Sequence, residues 1–165
     1  MTSNTSTSLD LRGLVLPGHR AFRKSIGAYA GEQKGRNVSA SMKFRENPSS
    51  MVEFQAMHMH MHSMFELRNI EKEFGVPATV PNEDFTLFLQ RKRRMLDDLY
   101  SQALTNVASA AVHLLSEEPG TPAYRDFAMK AAQAAGALDA RSYALKQFYE
   151  IFSDTMAKIA ELEGF

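Results

Sequence analysis

The chain has 165 residues, of which 44% are hydrophobic and 23% charged, with 19 Lys/Arg balanced by 19 Asp/Glu and no cysteine. That length and mixture suit one globular domain with a short appendage, and the lack of cysteine excludes disulfides, thiolate metal centres and cysteine nucleophiles. No apolar run approaches the roughly 20 residues of a membrane-spanning helix. The opening "MTSNTSTSLDLRGLVLPG" lacks the basic start and long apolar core of a secretory signal. A cytoplasmic protein, or part of a complex assembled in the cytoplasm, is the expectation.

Charge is unevenly spread. Residues 1–47 hold eight Lys/Arg and three Asp/Glu, a net +5, whereas residues 48–165 hold eleven and sixteen, a net −5. This divides the chain into a flexible basic N-terminal arm, 1–47, and an acidic body, 48–165. Residues 1–8 read as a polar tail. Leu9, Leu11, Leu14 and Leu16 then form an apolar segment closed by Pro17 and Gly18, too short and broken for a helix, so an extended hook is expected. A short amphipathic helix around Phe22, Ile26 and Tyr29 follows, and the Gly-, Ser- and charge-rich residues 31–49 predict a linker.

In the body, Ser50 stands three residues before Glu53, the spacing of a capping box, and predicts a helix from there to before Gly75 and Pro77. Asn82 restarts the pattern as a cap, followed by acidic residues suited to a helix N-terminus, and the second helix runs to about Ser116. Thr121 before Pro122 signals a third start. An Ala-rich helix runs to about Ala135, Gly136 interrupts, and Asp139 can cap a last helix through Leu162. Leu145, Phe148, Phe152, Met156, Ile159 and Leu162 recur there at spacings of three and four. Gly136 is the weak joint, because an internal glycine costs only about 1 kcal/mol and the last two helices could be one. The predicted fold is all-α, an antiparallel bundle of about four long helices with an extended basic arm.

The first of these helices carries "AMHMHMHSMF". At about 100° per residue, Phe54, Met57, Met61, Met64 and Phe65 share one stripe, with His58 at its edge. Val52, Ala56, Met59, Leu67, Ile70 and Phe74 form a second apolar face. A helix apolar on two sides is either central in its bundle or covered by another subunit. His58 and His62 are four apart and could chelate Cu, Ni or Zn, with Glu66 as a carboxylate ligand. Further ligands would be needed. Packing is the commoner fate of such residues, and Met59 with Met57, Met61, Met64 and Phe65 reads as an adaptable partner-binding surface, joined by the hook leucines and Phe22.

"QRKRR" wraps around its helix axis and reads as a solvated, self-paired face; Lys92 alone falls in an apolar stripe and must snorkel or find a partner. Arg20, Arg23, Lys24, Lys34 and Arg36 of the arm are the better candidates for contact with nucleic acid or an acidic partner. No Walker loop, GxGxxG, GxSxG, HExxH or paired Glu-x-x-His motif occurs. The reading that follows is a non-enzymatic helical assembly or adaptor subunit without a cofactor, self-associating or bound to other subunits. The alternatives are a Cu, Ni or Zn site on the His/Met helix, and nucleic-acid binding by the arm.

Overall fold

A computed structural model describes residues 11–74 and 85–162. These form four helices and no strand: α1 Leu11–Glu46, α2 Met51–Glu73, α3 Phe85–Leu115 and α4 Pro122–Leu162. The protein is an all-α helical bundle. Phe22 meets Phe74 and Phe44 meets Phe54, so α1 and α2 are antiparallel. Arg141 reaches Leu99 and Phe127 stacks on His113, so α3 and α4 are antiparallel too. α2 and α4 run parallel, with Arg125 over Phe54 at one end and Phe74 beside Phe148 at the other. α1, α2 and α4 form a packed trio. α3 leans on α4 and meets α1 near its own start, where His19 faces Phe88.

The caps expected at Ser50 and Thr121 are present. Ser50 Oγ accepts from the Glu53 amide at 3.3 Å, and Thr121 Oγ1 accepts from the Tyr124 amide at 3.1 Å, with Pro122 opening α4. Gly120 turns the chain between α3 and α4 at φ +89, a conformation that favours glycine. Lys92 stays partly open to solvent and reaches the end of α2. Its Nζ donates to the Glu73 carbonyl at 2.9 Å and lies over the Phe74 and Phe88 rings. A cation there answers the dipole and the free carbonyls at the end of α2. The Asn82 cap lies outside the described residues.

The arm is where the structure departs most from the sequence reading. From Leu11 to Glu46, the hook, the short helix and the linker are one helix of 36 residues, with Pro17 inside it. Val15, His19, Phe22, Ile26, Ala30 and Gln33 are buried at spacings of three and four, and Ala40 is buried seven residues on. Burying Val15, Phe22 and Ile26 contributes roughly 1.5–3 kcal/mol each, which works against the cost of Pro17 and of the helical glycines, about 1 kcal/mol for each glycine. Gly18, read as closing the hook, is instead where Phe152 lies against α1: a Cβ there would stand 2.7 Å from its ring.

The expected break at Gly136 is also absent, and α4 is continuous for 41 residues. Ala128, Ala132, Gly136, Ala140 and Ala144 follow one another at steps of four, the alanines buried, and Gly136 presses on α2. A Cβ on Gly136 would sit 2.3 Å from the Met59 carbonyl oxygen, so the two backbones are in direct contact. The aromatic core lies towards the other end, where Phe22, Phe74, Phe85, Phe148 and Phe152 are all buried with Ile26, Leu67, Leu89 and Leu96. Beyond Ala103, α3 buries no residue.

Candidate functional site

Where α1, α2 and α4 meet, three donors converge on one carboxylate. Tyr29 donates to both Asp139 oxygens, at 3.0 and 2.8 Å. Ser63 Oγ donates to Oδ2 at 2.9 Å and Gln33 Nε2 at 3.2 Å. An ionised carboxylate only accepts, so the set is mutually consistent. Gln33 and Ser63 are fully buried, which makes these bonds obligatory. Because the Gln33 amide nitrogen faces Asp139, its Oε1 faces His60 Nδ1 at 2.6 Å. Nδ1 therefore carries the ring proton, and Nε2 is the ring's acceptor. Burial holds the His60 pKa below its ordinary value, helped by Arg36 and opposed by Asp139. The Tyr29 phenol is raised, by burial first and by Asp139 second.

A second polar cluster lies one turn nearer the start of α1. Ser25 Oγ donates to Gln147 Oε1 at 2.9 Å. Its single proton being used, the 2.6 Å contact with Tyr143 has the phenol as donor. Tyr143 also stacks on Tyr29 at 4.1 Å between ring centres. On α4's opposite side, Arg141 pairs with Glu66 at 3.0 Å and donates to the Leu99 carbonyl at 3.0 Å, tying α2 to α3 across α4. These clusters join helices. The sequence held no signal for them beyond residue type, since Tyr29, Ser63 and Asp139 lie far apart along the chain.

The His/Met segment is half-buried throughout, from Gln55 to His62. Its two apolar faces are explained within the chain. Leu67, Ile70 and Phe74 enter the core with Ser63, whereas Phe54, half a turn away on the wheel, packs on Phe44 and beneath Arg125. The packed face thus swaps sides between Phe54 and Ser63, and no residue between them is fully buried. Met57, Met59, Met61 and Met64 are half-buried; Phe65 is 51% exposed. His58 lies edge-on to Phe54, its pKa lowered by burial and by Arg125. The Cβ of His62 abuts Gly136. Both Glu66 oxygens face Arg141, so the ligand set His58, His62 and Glu66 is not gathered. Among the described residues, no three His, Asp or Glu side chains stand close enough to hold a metal ion.

Of the other candidates, Leu9 and the side chains of Leu11 and Leu14 lie outside the described residues. Leu16 packs at the edge of the core and Phe22 is in it. Phe22 is therefore unavailable as a partner contact, because folding of α1 buries it completely. Arg20, Lys24, Lys34 and Arg36 are exposed on α1 and Arg23 is partly so. All but Arg36 fall within an arc of about 100° on the helix.

Sequence reasoning missed the surface of α3. Between Asp98 and Glu117 the chain has eighteen residues and no Asp, Glu, Lys or Arg. Most are exposed, including Leu104 at 45%, Val112 at 67% and Leu115 at 84%. The run of uncharged residues was visible in the sequence; that α4 alone covers it among the described residues was not. No helix among the described residues is long and apolar enough to cross a membrane. The chain matches no family model, no curated protein and no solved structure.

Proposed function

We propose that this protein is a non-enzymatic helical assembly or adaptor subunit, working through protein–protein contacts in the cytoplasm or in a complex assembled there. The outer half of α3 carries this reading. A helix that stands in water is ordinarily laced with charge, as α3 itself is from Arg91 to Asp98. Its uncharged second half leaves leucines and a valine open, the mark of a surface that another protein covers. The test is the solution mass of the full chain over a wide concentration range, with affinity capture from its native host. Self-association, or a partner held in fixed stoichiometry, supports the reading. A monomer at every concentration that captures nothing overturns it.

A second reading, contact with nucleic acid or another acidic partner, is supported by the gathering of Arg20, Arg23, Lys24 and Lys34 on one flank of α1. Phosphate contacts would make binding fall steeply with salt. A mobility shift insensitive to salt, or unchanged by Arg20→Gln with Lys24→Gln and Lys34→Gln, counts against it.

A further inference from the structure

On the uncharged half of α3, Leu104, Ala108, Ala111 and Leu115 are all exposed. Their spacings of four, three and four place them on one seam of the helix. The seam runs for three turns, about 16 Å at 1.5 Å per residue. His113, the one titratable side chain on this stretch, is turned aside. Its ring stacks on Phe127 of α4 and its Nδ1 lies 3.0 Å from the Ser109 carbonyl.

The order of residues along this seam reads the same in both directions: Leu, Ala, Ala, Leu. We infer that the seam pairs with the same seam of a second copy of this chain, antiparallel across a twofold axis. This rests on the assembly reading above and names both its surface and its partner. In such a pair Leu104 of each copy lies opposite Leu115 of the other, and Ala108 lies opposite Ala111. The alanines at the centre let the helices approach closely, and the leucines close both ends. In a twofold contact the same patch lies on both sides, so a patch of one charge would repel its copy. The lack of any charge from Leu99 to Ser116 removes that penalty. A nucleic acid or a strongly charged peptide would find no complement here. With α4 behind each α3, the pair forms a four-helix layer. Three turns offer fewer residues than the roughly 20 a side of a standard interface, so the dimer is weak and concentration-dependent.

The experiment is sedimentation of the full chain from low micromolar to near-millimolar concentration. The variants are Leu104→Lys with Leu115→Lys, and Leu104→Glu with Leu115→Glu. Both positions changed are exposed, and circular dichroism checks that each variant keeps its helix. The parent chain is expected to dimerise as concentration rises. Each variant alone should raise the dissociation constant by at least about tenfold through like-charge apposition. An equimolar mixture of the two should dimerise again. Val38→Lys with Met42→Lys, on exposed α1, should leave dimerisation unchanged. A parent chain that stays monomeric throughout overturns the inference. So does a dimer indifferent to the α3 variants, which leaves the assembly reading standing through another surface. A heterologous partner lost on the α3 variants, with no self-association, also overturns self-pairing while supporting assembly. A monomer that captures nothing removes both.

Discussion

Replacing Gly136 with alanine destabilises the protein, although alanine is the better helix former by about 1 kcal/mol. The new Cβ would stand 2.3 Å from the Met59 oxygen and 3.0 Å from the Ser63 nitrogen, both backbone atoms, whereas ordinary contact begins at 3.4 Å. α2 and α4 would have to separate by about 1 Å, and overpacking of this kind typically costs 1–3 kcal/mol. The same shift stretches the 2.9 Å bond from Ser63 to Asp139, worth about 1 kcal/mol. The expected net loss is about 1–3 kcal/mol, at roughly 2–4 °C of Tm per kcal/mol for a chain of this size. Gly31→Ala is the matched control. Nothing lies within 4 Å of its added methyl, so the same change should stabilise by about 0.5–1 kcal/mol. Urea and thermal unfolding followed by circular dichroism at 222 nm read both. If Gly136→Ala is as stable as the parent or more so, the close backbone contact between α2 and α4 is wrong.

Asp139→Asn turns an acceptor of three hydrogen bonds into a group with an NH₂ facing donors. It should cost about 2–4 kcal/mol in urea unfolding; a loss under about 1 kcal/mol would show that the three donors do not depend on this carboxylate. Arg141→Met leaves Glu66 unpaired in a site where both side chains are mostly buried. We expect a loss of about 1–3 kcal/mol, relieved by adding Glu66→Met; no relief in the double variant would argue against the pairing. The pKa values of His58 and His60 lie below the usual 6.5 in the folded chain. The unfolded chain therefore binds more protons below that pH, and stability falls as pH drops from 6.5 towards the folded values. Tyr29, raised above 10.0, makes stability fall as pH climbs past that value. Urea midpoints across pH should decline on both sides, and the acid decline should shrink in His58→Gln with His60→Gln.

How far the fold could be read depended on which residues faced the core. α2, α3 and the start of α4 were legible because Ser50, Glu53, Thr121 and Pro122 are local signals, read within one turn. α1 was not legible, because its buried stripe includes His19, Gln33 and Ala40, while Gly31 and Gly35 weaken it from outside. Only packing against α2 and α4 makes that stripe a core face, and packing is not local. Asp139 shows the same limit. Next to Gly136 it looked like a helix cap, and its true partners lie 76, 106 and 110 residues away. The His/Met helix packs on α1 and α4 of the same chain, which leaves Val52 and Phe65 of its two apolar faces open. The pairing of Glu66 with Arg141, which takes it from the histidines, had no sequence signature at all.

The small-residue face of α4 has a consequence for alignment. Around Gly136, where the α2 backbone comes close, α4 offers only the small buried residues Ala132 and Ala140 one turn to either side. Large side chains interlock and resist sliding; a smooth face lets one helix ratchet past the other by a turn, 5.4 Å, with little change in fit. A slip of that size would carry Ser63 away from Asp139 and strand a charge among apolar neighbours. Tyr29 and Gln33, reaching the same carboxylate from α1, would hold it back. Asp139 thus works with the Arg141–Glu66 pair and the Phe74–Phe148 contact in setting the one position at which three helices agree.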